Sequence, residues 1–121
     1  MAMQHVRPGE VHDLAPSSSN PGNGFTVAIV KTKMFEAVRL VVRSGTSIKE
    51  HKFDGPITLH CLEGRVLLGL SESSCELSDG HWLYLDGGTP HSISGIQDAT
   101  LLLTILFPHQ DRTVAGQITG S

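Results

Sequence analysis

Apolar and polar residues alternate with a period of two along the middle of the chain, and almost nowhere with the spacing of a helix face. Met34, Glu36, Val38, Leu40 and Val42 interleave with Phe35, Ala37, Arg39, Val41 and Arg43. Successive side chains of a strand point to opposite faces, so this pattern turns Val38, Leu40 and Val42 inward and Arg39 and Arg43 outward. Ser44-Gly45 ends that strand. Further short strands are expected over 47–53, 57–62, 65–70, 75–77, 82–85, 91–96 and 99–107. Turn signals at Phe53-Asp-Gly-Pro56, Glu63-Gly64, Ser71–Ser74 and Asp79-Gly80 separate several of them. About eight or nine short strands at 8–12-residue spacing predict an all-β barrel or sandwich.

The last strand is apolar on both faces, with Leu101, Leu103 and Ile105 against Leu102 and Leu106. Such a strand is covered on both sides. One face packs into the barrel, and the other requires a second subunit or a folded-back terminal segment, so a homodimer is expected. An N-terminal segment crossing to the partner would cover an edge strand and protect its ladder groups.

Composition sets the boundaries. The chain has 121 residues, and 29 of its 34 Val, Ile, Leu and Phe fall within 25–107. One domain over 25–108 is therefore expected, with an irregular N-terminal extension over 1–24 and a tail over 109–121. Nine Lys and Arg against 12 Asp and Glu give a net charge of −3. That balance excludes the basic signature of nucleic-acid binding and offers no polybasic anchor for a membrane. No apolar run reaches the roughly 18 residues of a membrane span, and the first ten residues lack the apolar stretch of a secretory signal. A cytoplasmic protein is expected. Cys61 and Cys75 are the only cysteines and form no CxxC, so both read as reduced thiols packed as small apolar groups.

Two spacings stand out. Gly45-x5-His51 precedes Leu62-Glu63-Gly64, and Gly80-x5-Asp86-Gly87-Gly88-x2-His91 follows. Together they resemble the paired motifs of the cupins across roughly 34–107. The resemblance implies a small jelly-roll barrel with a pocket at one mouth, commonly dimeric. The physical content of the frame is independent of it: Gly45, Gly64 and Gly80 sit where strands reverse, and glycine takes positive φ without steric cost. Gly87-Gly88 followed by Thr89-Pro90 bends the chain and delivers His91 to a strand.

The departures from the family pattern carry the functional reading. Cupin metal sites take two histidines from His-x-His, a glutamate and a later histidine. Here His51 fills the first position, Phe53 the second, Ile57 the glutamate position and His91 the last. Two donors are replaced by apolar groups, and two imidazoles alone hold a divalent ion weakly. Projected inward by the resemblance are His51, Phe53, Ile57, Leu59, Cys61, Leu83 (or Trp82) and His91. That set makes an apolar cavity with two imidazoles at its mouth, the usual composition of a small-molecule pocket. Alternation turns His60 outward, and Asp86 is expected to cap the Gly87-Gly88 turn. His5, His12, His81 and His109 lie on flanks or hairpins and are assigned no role. Three functions follow from the resemblance. The first is a binding module for an unknown small molecule, with no resident cofactor. The second is a metal-dependent dioxygenase, isomerase or lyase with Zn, Ni, Fe or Mn at His51 and His91. The third is a structural, partner-binding dimer.

Overall fold

The structure, a computed structural model, describes residues 5–15 and 25–108; the remainder of the extension and the tail, including His109, lie outside the described residues. Seven strands and no helix are present among them: β1 (Val27–Lys31), β2 (Phe35–Val42), β3 (Ser47–His51), β4 (Ile57–Gly69), β5 (Ser74–Ser78), β6 (Trp82–Leu85) and β7 (His91–Leu106). Among the described residues no helix is therefore long and apolar enough to cross a membrane. All pairings are antiparallel, in the order β1-β2-β7-β4-β5, with β3 also on β7 and β6 also on β4.

Two expected breaks are bulges inside continuous strands, and β1 is a strand that the sequence pattern did not predict, so seven elements stand where eight or nine were expected. The 13 residues of β4 and 16 of β7 stay paired from Ile57↔Ile105 to Gly69↔Ser92, while the register shifts around Glu63. Bulges bend a strand and raise its twist without ending it. The first half of β4 pairs β6 and the second half β5; β7 pairs β3 early and β2 late. One bent ladder thus belongs to both faces of a small jelly roll, and β1 extends the face built on β2.

Gly64 makes the bend feasible. Its φ is +100°, and a Cβ there would run into the carbonyl oxygen of Asp98 and the backbone of Ala99. Its N–H is held at 2.8 Å by Oδ1 of Asp79. Gly45 and Gly80 also take positive φ, as their turn positions require.

Inward residues from both halves form one core, which includes Leu40, Val42, Ile57, Leu59, Val66, Leu68, Leu77, Ile93 and Leu101. The alternation in β2 holds for Leu40 and Val42, and Arg43 is exposed, but Arg39 is only 5% exposed. The reason is lateral. Arg39 sits in an interior strand between Val27 of β1 and Leu102 of β7, where apolar neighbours shield a long aliphatic stem. The thiols also divide. Cys61 is buried in the core, whereas Cys75 is exposed on β5, a strand paired on one side only; both are free. Edge protection of β1 is met within the chain at one point, where the Val6 N–H donates to the Ile29 carbonyl at 2.9 Å.

Replacing Gly64 by Ala should cost about 3 kcal/mol or more, combining the left-handed penalty with overpacking against backbone that cannot yield. Gly45→Ala, at φ +82° with open space around it, should cost only about 1 kcal/mol. Urea denaturation of the two variants beside the parent measures the difference.

Candidate functional site

His51 closes β3 and His91 opens β7, and the two are direct cross-strand partners. Alternation alone would not have put them on one face. Ile48 and Ile93 are partners and both turn toward the core, which leaves His51 with the wrong parity. A one-residue register shift between Ile48 and His51 corrects it. The imidazole centroids then lie 4.4 Å apart with ring planes at 56°. Phe53 meets His51 edge-on, centroids 5.1 Å apart, and lies 6.0 Å from His91.

Two loops hold the pair in place. The N–H of Gly88, in the turn before β7, donates to the carbonyl of Phe53, in the loop after β3, at 2.7 Å. Gly87 lies so close to Asp54 that a Cβ would collide with its carbonyl oxygen. The loop that follows His51 and the loop that precedes His91 are thereby locked together. In that second loop the Thr89 N–H closes the turn onto the backbone carbonyl of Asp86 at 3.3 Å.

Each imidazole is fixed in the same manner. Nδ1 of His51 is 2.9 Å from the Lys49 carbonyl, and Nδ1 of His91 is 3.0 Å from the Thr89 carbonyl. A carbonyl oxygen only accepts, so Nδ1 carries the proton in both rings. Neutral imidazoles in this tautomer keep a lone pair on Nε2, and each is an acceptor or a metal donor at that atom. His91 is 3% exposed. Burial holds its pKa below the ordinary 6.5; the Thr89 carbonyl opposes that shift, and neighbouring His51 adds to it. Burial likewise pushes the Cys61 thiol up, with the Asp79 charge adding to the effect.

The remaining sequence candidates divide by depth. Ile57, Leu59 and Cys61 are at most 2% exposed and belong to the packed core. Leu83 is half-buried against that core. Trp82 points the other way and is 58% exposed. His60 turns outward between Leu102 and Trp82, as alternation requires. His81 is satisfied in its own turn, its Nδ1 accepting the Ser78 N–H at 3.0 Å.

The residues present do not fit a four-ligand metal centre. A phenyl ring and a core isoleucine occupy the positions where the cupin pattern supplies donors. Among the described residues no group of three or more His, Cys, Asp and Glu is placed to hold an ion.

No protein-family model and no curated protein matches the chain. Solved structures do. A cupin superfamily protein from Desulfitobacterium hafniense is 15% identical and superposes with a TM-score of 0.72, over 89% of this chain and 100% of that one. A conserved protein of unknown function from Streptococcus pyogenes is 16% identical at a TM-score of 0.71, covering 91% and 100%. The salicylate 1,2-dioxygenase of Pseudoaminobacter salicylatoxidans, 14% identical at a TM-score of 0.62, matches 66% of this chain and 24% of its own length. The chain has the cupin fold.

The depressed pKa of His91 has a consequence for stability. In the unfolded chain the imidazole takes up a proton as the pH falls through about 6.5, while the folded protein still excludes it. Unfolding is therefore accompanied by proton uptake, and stability declines from just above that pH downward to the lower folded value. His91→Gln should flatten this decline. Denaturant midpoints of parent and variant between pH 7.5 and 5.5 provide the comparison; equal slopes would contradict a buried neutral imidazole.

Proposed function

We propose that this cupin-fold chain binds a small polar molecule at the mouth of its barrel, against His51, Phe53 and His91 and above the apolar floor of Ile57, Leu59, Cys61 and Leu83. The supporting observation is the direct pairing of His51 with His91, each ring tied through Nδ1 to a carbonyl of its own chain. Two Nε2 lone pairs beside a phenyl ring suit a ligand with hydroxyl or amine donors on an apolar body. Small-molecule sites commonly pair apolar walls with a few placed polar groups. No metal-dependent step is part of this reading, although an enzyme stands among the neighbours that share the fold. Two free thiols agree with a reducing, cytoplasmic setting.

Native mass spectrometry of the purified protein, with thermal shifts across a panel of polyols and amino compounds, tests the reading. Retention or stabilisation should disappear in His51→Ala and His91→Ala. Elemental analysis after chelator-free preparation should find less than about a tenth of an equivalent of Fe, Mn, Ni, Cu or Zn, as befits a two-donor site. Near-stoichiometric metal that is lost in both variants would replace this reading with the metal-dependent one. Failure of the whole panel, with no metal, would leave the structural dimer.

The same proposal includes a homodimer joined through the outer face of β6, β4 and β7. Trp82 and Tyr84, 58% and 57% exposed, are two residues apart on β6. Their rows continue through His60 and Leu102, and through Thr58 and Thr104. Exposed aromatics grouped on a sheet face characterise interface cores. Light scattering should find a dimer at about micromolar concentration, the range expected of a standard interface. Trp82→Glu with Tyr84→Glu should convert it to a folded monomer; a monomeric parent would refute the interface.

A further inference from the structure

A cleft lies away from the histidines, between the N-terminal segment at 5–8 and the edge formed by β1 and the start of β2. Its volume is about 660 Å³, within the range of small-ligand sites. Val6, Ile29, Val30 and Phe35 supply apolar walls, and Arg7 and Lys31 supply positive charge. We propose that this cleft binds a monocarboxylate with an apolar alkyl or aryl body, the carboxylate lying between Arg7 and Lys31.

Charge complementarity over an apolar wall favours this ligand. Acids outnumber bases in the chain as a whole, yet no Asp or Glu lines the cleft. Two carboxylates flank the cleft without lining it. Glu10 accepts the backbone N–H of Arg7 at 2.9 Å, and Glu36 is the register partner of Lys31 on the adjacent strand. Among the described residues neither cationic side chain is joined to a carboxylate. The Lys31 ammonium sits over the Phe107 ring, 5.9 Å from its centroid. An ammonium in that position keeps its charge available to an anion while its stem borders the apolar wall. An uncharged hydrocarbon would fill the walls and leave the cations solvated; an inorganic anion would meet the cations and leave the walls wet. A carboxylate with an apolar body satisfies both.

Octanoate is a suitable probe for calorimetric titration of the full chain at low ionic strength, where such a charge contribution is least screened. Saturable binding of one octanoate per chain is expected, with octan-1-ol at least about tenfold weaker because it lacks the charge-assisted contacts. Arg7→Gln and Lys31→Gln should each weaken octanoate by about threefold to fivefold, the scale of a partly exposed ion pair, with unchanged melting temperatures. Amide resonances of Val30 to Thr32 should shift on titration in the parent. His51→Ala and His91→Ala should bind octanoate as the parent does, which separates this cleft from the barrel mouth. Absence of saturable binding, equal affinity for octan-1-ol, insensitivity to both cation substitutions, or dependence on the histidines would each overturn the proposal.

Discussion

The continuous ladder between β4 and β7 is the constraint on which the other elements depend. Every other strand except β1 pairs directly with one of these two, and β1 is attached through β2. The ladder crosses from one face of the barrel to the other without losing its pairing, which a regular pair of strands cannot do. Its bulges supply the bend, and Gly64 supplies the conformation and clearance that the bend demands. The consequence reaches the site. His91 is the first residue of β7, so its depth and direction follow from where the bent ladder begins. His51 is placed by pairing to that same end.

At the mouth, the polar groups are few and fully directed. Burial disfavours the charged form of His91, and a second imidazole 4.4 Å away disfavours it further. Each Nδ1 proton is spoken for by the chain itself, which fixes the tautomer and leaves Nε2 as the variable atom. Phe53 contributes a ring edge contact where a third donor would otherwise stand, and Ile57 is absorbed into the core. Loss of the carboxylate also removes the charge that would offset a divalent cation. What is left is a pair of imidazoles, each tied through Nδ1 to a backbone carbonyl, beside an aromatic ring.

Much of this was legible in the residues because period-two alternation reports a real interface. It oriented Leu40, Val42, Leu59, Cys61 and His60 correctly, and turn chemistry located Gly45, Gly64 and Gly80. It did not distinguish a bulge from a hairpin corner, since Glu63-Gly64 carries the same local signal in either case; only the cross-strand partner decides. The placement of His51 was beyond alternation for the same reason: Ile48 inward implies Glu50 inward, and the register shift reverses that. The glycine-to-histidine spacing, read as a resemblance, located the position that alternation missed. Arg39 shows the opposite failure. Its residue type argues for solvent, but exposure depends on what flanks a strand laterally, which linear sequence does not record. Cys75 is exposed near the start of β5, beside the Ser71–Ser74 turn, while Leu77 on the same strand is in the core.

The histidine pair and the β1 cleft differ in the sign of what they offer, and this decides whether one ligand could serve both. Under the proposed function, the Nε2 atoms of His51 and His91 would accept from hydrogen-bond donors, since each Nδ1 is tied to a backbone carbonyl. The cleft at β1, lined by Arg7 and Lys31, would reward an anion under the proposal made for it. A carboxylate suited to Arg7 and Lys31 would meet the Nε2 atoms of His51 and His91 as acceptor against acceptor. Protonating the pair would remove that conflict, but burial of His91 works against it. The two proposed sites would therefore select different functional groups. Any single molecule engaging both would need a donor-rich end and a carboxylate end, with a body long enough to pass from the strand edge to the mouth.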